Sequence, residues 1–450
     1  MNSHQGLVRP QYWHLACAVS VSVLSTQVSA QGLEEALTEV TGSASVFAAM
    51  NHTRTDTATG TDTNTEPSVG LSGVLGGEFV SGANSLALQY AGTVETSRDN
   101  TAGESSDTSS FNGVSRFQHL DPASRFDFNA GHTVRSVRND TGFVINPNDY
   151  DTQNVVNAGA GFRLYPGDLT TLRLSADGSR SFGDADAADN ESWLGKAEIQ
   201  RRLSSRSASL LTASRSWADE DNLDLTIDSA VLAYITELES GSFTIGAGFS
   251  KAEAEFNGGQ VIESDGIVGY MTRVWLTPEW TSSLSYTRTL SDSAIDQVAN
   301  PTVVGGFLDE DVRLNELAVT DTVDFQYTTR GLCDVCDGGM ILSGSIRESE
   351  YTGATTHEYL AGVNLGIQIS SLQRLEFRYL WQGDAGEDAG TVLEEIHRFD
   401  TRWSRLIGEE TTFGVELNQS YLRSKLARND EDEFVLRVVL THGFSLVGRN

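Results

Sequence analysis

The chain has 450 residues, with 31 Lys and Arg against 62 Asp and Glu, a formal net charge of −31, a 39% hydrophobic fraction and only 7 Pro. So acidic a chain lacks the Lys/Arg excess that facing nucleic-acid phosphates demands, and no nucleic-acid partner is expected. Its 19 Phe, 12 Tyr and 7 Trp supply more aromatic surface than disordered acidic chains carry, and no apolar run reaches the roughly 18 residues of a membrane helix.

Residues 1–30 have a weakly basic start at Arg9, an apolar stretch from Leu15 to Leu24 and the small-residue ending Val28-Ser29-Ala30. This is the layout of a secretory signal peptide with cleavage after Ala30. A short periplasmic segment, 31–42, is expected to follow, and then one domain over 43–450.

From residue 43 onward, stretches of ten or more residues alternate apolar with small or polar side chains. In 356–370, Tyr359, Ala361, Val363, Leu365, Ile367 and Ile369 share one parity, with Gly362, Asn364, Gly366 and Gln368 on the other. Leu375, Phe377, Tyr379 and Trp381 alternate with Arg374, Glu376 and Arg378 in the same way, as Phe126 and Phe128 do with Asp127 and Asn129. A strand presents alternate side chains to opposite faces, so each stretch has one apolar and one wet face. About twenty such stretches begin near residues 43, 67, 84, 111, 124, 154, 168, 192, 207, 226, 242, 266, 280, 319, 340, 356, 374, 394, 410 and 432, with eighteen strands as the alternative count.

The breaks between them follow a parity of their own. Short turns come after even strands, at 81–84, 121–124, 166–168, 204–207, 239–241, 277–279, 333–339, 370–373 and 407–410. Longer breaks come after nearly every odd strand, at 52–66, 98–110, 139–153, 184–191, 219–225, 257–266, 292–318, 384–393 and 425–433, and they hold most of the net negative charge. Long loops kept at one end of a whole chain have no reason in a soluble sandwich. They are the arrangement of a transmembrane antiparallel up-and-down β-barrel, with short periplasmic turns and long acidic extracellular loops. The acid at that end reads either as a solvated rim or as cation bridging to surface polysaccharide.

With the apolar parity toward lipid, the other parity faces the lumen. The basic candidates there are Arg163, Arg173, Lys196, Arg202, Arg330, Arg347, Arg378, Arg398, Arg402 and Arg437, interleaved with carboxylates such as Asp127, Glu198, Glu376, Asp400 and Glu416. Charge at membrane depth is cheaper inside than in lipid. Two readings stay open: ion pairs that brace the wall, or guanidinium donors that pass an anionic or hydroxyl-rich solute. The break 292–318 contains Val303-Val304-Gly305-Gly306-Phe307-Leu308 and could either fold inward or stay outside.

Cys333 and Cys336 sit in a short turn and are expected to form a local disulfide in an oxidising compartment. No zinc set, Walker loop, dinucleotide glycine pattern or calcium-loop spacing accompanies them, so no cofactor and no metal is expected. His52 and His357 are the histidines nearest the outer ends, but no nucleophile spacing singles out either. A rim hydrolase is therefore the least favoured class and no catalytic residue is assigned.

The last stretch, Phe434, Leu436, Val438, Leu440, His442, Phe444 and Leu446 on one parity, resembles the C-terminal strand of bacterial outer-membrane barrels, although the chain runs on through Val447-Gly448-Arg449-Asn450. More narrowly, Gly42-Ser43-Ala44-Ser45-Val46-Phe47, an Asp/Thr-rich loop and Pro67-Ser68-Val69-Gly70-Leu71 resemble the β-barrel porin proteins found with exopolysaccharide and sorting-signal (PEP-CTERM) gene clusters. That resemblance implies a Gram-negative outer-membrane location. Its implied partners are membrane lipid, lipopolysaccharide, the barrel-assembly machinery and surface polysaccharide. The expected function is a passive pore or export conduit for exopolysaccharide or other anionic and hydroxylated solutes, with a structural, polymer-anchoring role as the alternative.

Overall fold

The computed structural model describes residues 37–57, 60–98, 105–121, 124–138, 150–165, 169–183, 190–220, 223–256, 259–291, 317–386, 392–425 and 430–445. They form twenty strands: β1 (Leu37–Thr57), β2 (Gly60–Ser81), β3 (Asn84–Arg98), β4 (Ser105–Leu120), β5 (Phe126–Arg138), β6 (Tyr150–Leu164), β7 (Thr170–Gly183), β8 (Asn190–Arg202), β9 (Ser207–Glu220) and β10 (Leu223–Leu238). They continue as β11 (Gly241–Phe256), β12 (Val261–Leu276), β13 (Trp280–Ser291), β14 (Ala318–Cys333), β15 (Cys336–Ser349), β16 (Thr355–Ser370), β17 (Gln373–Ala385), β18 (Val392–Leu406), β19 (Thr411–Ser424) and β20 (Asp430–Ser445). Every strand pairs antiparallel with its sequence neighbours, and β1 also pairs with β20 from Thr41↔Ser445 to Asp56↔Asp430, so the sheet closes on itself.

Closure follows from the residues. Alternation gives each strand two faces, short turns force antiparallel neighbours, and ring closure pairs the first strand with the last, so neither is left as a sheet edge. At Ser81–Asn84 the two-residue turn places Gly82 at φ 58°, the left-handed conformation that a tight hairpin requires and that glycine adopts without strain. The same short-turn end holds both described termini, Leu37 and Ser445.

The strands run from 12 to 22 residues, more than the ~9 to 11 that cross a bilayer. The wall therefore stands taller than the membrane, and several expected long breaks shorten, 98–110 among them, where the ladder reaches Arg98↔Ser105. The expected long break 52–66 is mostly ladder, from His52↔Thr65 to Thr57↔Gly60. The break at 219–225 narrows likewise, with β9 reaching Glu220 and β10 starting at Leu223. Backbone groups that would be solvated in loops are paired in projecting hairpins. The expected leader 1–30 lies outside the described residues, and of the expected segment 31–42, residues 37–42 belong to β1.

Candidate functional site: the lumen wall and its mouth

Register carries one face around the whole ring. Phe126, Phe128, Val156, Leu174, Ile199, Leu211, Leu232, Phe249, Ile267, Val323, Leu342, Val363, Phe377, Leu436 and Leu440 are exposed large apolar side chains, all on the outer parity. Toward the short-turn end, aromatic pairs border this band, with ring centroids 5.1 Å apart for Phe126 and Phe162, 6.0 Å for Trp280 and Tyr327, and 6.1 Å for Trp403 and Phe413. Nearer the loop end stand Trp193, Trp217 and Tyr421, with Tyr379 and Phe399 within the band beside Val363. An outward apolar belt between two aromatic girdles is the surface of a barrel immersed in lipid.

The inner parity is polar and cross-linked by ion pairs. Asp127 on β5 accepts from Arg163 on β6 at 3.0 Å and from Arg173 on β7 at 2.7 Å. Arg173 also donates to Glu198 on β8 at 3.0 Å, and Lys196 lies 4.0 Å from Glu198. Small residues make this possible: Gly161 is the register partner of Asp127 and Gly159 that of Asp177, and a β-carbon at either would collide with the facing carboxylate. A second network spans the closing seam. Arg402 is 3.3 Å from Glu416, and Arg437 is 4.0 Å from Glu416 and 3.8 Å from Glu95, with its guanidinium 4.5 Å over the Phe47 ring. Near the short-turn end, Arg374 bridges Asp337 at 2.8 Å and Glu376 at 2.7 Å.

The candidates read from sequence distribute accordingly. Arg163, Arg173, Lys196, Arg402 and Arg437 lie within these networks. Arg378 and Arg398 sit on the inner parity beside Asp400, the register partner of Arg378. Arg347 faces Thr356 on the inner parity near the loop end. Arg202 and Arg330 stand at the short-turn end, their backbone N–H groups donating to Leu169 and Glu279 carbonyls at 2.8 and 3.1 Å. Cys333 and Cys336 are joined by a disulfide with Cα atoms 4.8 Å apart. His52 and His357 lie on the outer parity of β1 and β16, His52 hydrogen-bonded to the Thr65 hydroxyl at 2.8 Å.

Three features were not anticipated. On β9 to β12, near the loop end, the inner face is largely apolar: Ala218, Leu223, Leu225, Ile227, Ala252, Ala254 and Val268 are buried together with Leu290 and Leu317 of the next edge. The outer parity of the same strands carries Asp219, Asp224, Asp228, Glu253, Glu255, Glu263 and Asp265, with pairs Arg215–Asp228 at 3.6 Å and Lys251–Glu263 at 3.1 Å. Above the lipid the outside is water, so the polarity of the two faces reverses and the rule relating parity to medium holds only within the band. The second feature is a polar network on the outer parity of β3 to β6: Tyr90 Oη donates to Ser115 Oγ at 3.0 Å and meets His132 Nδ1 at 3.0 Å, and His132 Nε2 lies 3.3 Å from Asn154 Oδ1. Those four residues are far apart in sequence, and only the register assembles them. The third is a break in the β12–β13 ladder, which stops at Gly269↔Arg288.

A closed antiparallel barrel of twenty strands with a girdled lipid-facing belt defines the outer-membrane barrel class, because a spanning sheet must satisfy every backbone group internally. That class places the chain in the outer membrane of a Gram-negative bacterium. No protein-family model matches the chain and no curated protein matches it. Among solved structures it is similar to the FrpB iron transporter from Neisseria meningitidis, at 9% identity and a TM-score of 0.46, covering 93% of this chain and 83% of that one. It is also similar to OccK5 (OpdH) of Pseudomonas aeruginosa, at 12% identity and a TM-score of 0.33, covering 90% and 98%. The ferric enterobactin receptor PfeA of Pseudomonas aeruginosa aligns at 12% identity and a TM-score of 0.44, covering 90% and 80%.

Proposed function

We propose that this protein is a passive outer-membrane pore for hydrophilic solutes. The observation that carries the reading is closure of a twenty-strand ring. Strands spaced ~4.8 Å and tilted ~40° close into a ring roughly 40 Å across from backbone to backbone, and side chains alone do not fill such a ring. At the depth of the belt the inner parity offers many hydroxyls, amides and paired charges, with apolar side chains such as Ala233, Leu360, Leu380 and Val439 among them. That lining suits hydroxyl-rich solutes, the polysaccharide class among them. It argues less for anion selection, because Arg163, Arg173, Arg402 and Arg437 already face carboxylates. Liposome swelling with neutral sugars of increasing size tests this reading. Entry of mono- and disaccharides at similar rates, with charged analogues little favoured, supports it; vesicles that exclude even monosaccharides would contradict it.

A second reading is a surface protein that holds polymer through divalent cations without transport. It is favoured by the carboxylates that stand outward above the belt on β9 to β12. Release of surface polymer by EDTA with unchanged sugar permeability would select it over the pore.

A further inference from the structure

The β11–β12 ladder runs the full height of the wall, from Gly241↔Trp275 to Glu255↔Val261. The β12–β13 ladder does not. It starts at Leu276↔Thr281 and stops at Gly269↔Arg288, although β12 continues through Val268, Ile267 and Gly266 and β13 through Thr289, Leu290 and Ser291. The wall is therefore split at this seam, just where the outward surface changes from Phe249 and Ile267 to Asp265 and Glu263.

Two contacts hold the split together. On the inside, Leu290 and Leu317, with Val319 packed against them, belong to the same buried cluster as Leu225, Ile227, Ala252, Ala254 and Val268. Leu290 and Val319 are on the outer parity of β13 and β14, whereas the β10–β12 members are on the inner parity, so the two edges overlap as layers. The overlap extends to Phe256 on β11 and Tyr351 beyond β15, whose rings meet edge to face at 5.2 Å. On the outside, Arg288 Nε donates at 3.2 Å to the carbonyl of Ile267, one of the residues on β12 above the last ladder pair. The same guanidinium pairs with Asp321 at 2.5 Å, and Asp321 accepts from Tyr286 Oη at 2.7 Å.

We propose that the β12–β13 seam is a lateral gate that admits an acyl chain from the outer leaflet into the apolar mouth of the barrel. The energetics suit movement. A ladder resists separation through directional backbone hydrogen bonds, but an apolar overlap can slide or part while its surfaces are re-covered by a chain of the same polarity. The ligand class follows from the lining: the surface uncovered by opening is mostly Leu, Ile, Val and Ala, with the hydroxyls of Ser250 and Ser264 as polar exceptions, which fits hydrocarbon better than a sugar or an ion. The headgroup would remain at the height of Arg288, at the upper border of the belt.

The test uses the full barrel reconstituted in vesicles containing a diazirine-bearing phosphatidylcholine, irradiated and mapped by peptide mass spectrometry. Three forms are compared: the unaltered protein, Arg288→Ala, and a Phe256→Cys/Tyr351→Cys variant with or without a short bismaleimide joining the two positions. Labelling of inner-parity residues Ile262 and Val268 is expected in the unaltered protein, rising several-fold in Arg288→Ala and falling to background once the bismaleimide is in place. Label confined to outer-parity residues such as Phe249 and Ile267 in every form would overturn the gate. Should Arg288→Ala fail to fold, the comparison with and without cross-linker decides alone, because Arg288 is intact in both. Sugar permeability is expected to survive cross-linking, so a failure of the gate and a failure of the pore give different results.

Discussion

Asp127 is the least solvent-exposed carboxylate among the described residues, with its side chain 7% exposed between the guanidinium groups of Arg163 and Arg173, themselves 18% and 28% exposed. Replacing it with Ala leaves two partly buried cations facing each other across β6 and β7. Removal of one partner from a buried pair costs about 3 to 5 kcal/mol. Arg173 retains Glu198 at 3.0 Å and the lumen side admits water, so the lower end, about 3 kcal/mol, is expected. Arg402→Ala gives an internal comparison: its guanidinium is 47% exposed where it meets Glu416, and pairs of that exposure contribute ~0 to 1 kcal/mol. Reversible denaturant unfolding in lipid vesicles, followed by tryptophan fluorescence, measures both. If Asp127→Ala unfolds within about 0.5 kcal/mol of the unaltered barrel, or no less stably than Arg402→Ala, the network does not brace the wall and the reasoning from enclosure fails.

Three further outcomes follow from the same geometry. Leu436→Arg, on the lipid-facing parity of β20, should cost ~2 to 4 kcal/mol in vesicle unfolding, whereas Asn129→Arg, on the inner parity, should cost far less; equal losses would mean the faces are assigned wrongly. Gly161→Ala should destabilise the barrel in the same assay and should do so much less in an Asp127→Ala background, because the added methyl collides with that carboxylate. Reduction of Cys333–Cys336 should leave the barrel folded by heat-modifiable gel migration, since the bond closes a hairpin of sequence separation 3 that the ladder above it already fixes; unfolding on reduction would refute this.

Much of the wall was legible because a strand states its two faces directly. Phe126, Asp127, Phe128 and Asn129 separate by parity, and the observed strand starts at Asn84, Ser207 and Trp280 coincide with those expected. The inward parity of Arg163, Arg173 and Arg437 was equally readable, but their partners were not. Glu95 and Arg437 lie at opposite ends of the chain, and only ring closure brings them to 3.8 Å. Hairpin height was hidden because Asp/Thr-rich segments such as 52–66 read as loop by composition, while the ladder that orders them depends on the facing strand. The apolar inner face of β10 to β12 was not legible for a different reason. Alternation separates two faces without saying which medium each meets, and Leu225 and Ile227 stand above the belt, where water lies outside. The split beside Gly269 leaves no trace in periodicity, and Arg288 reads as an ordinary strand cation until the Ile267 carbonyl appears beside it.

A pore requires an open, water-filled ring. Single-channel recording of the purified, heat-modifiable barrel in planar bilayers tests it: stepwise ion conductance with weak preference between cations and anions is predicted, and a folded barrel that inserts yet passes no current would contradict it.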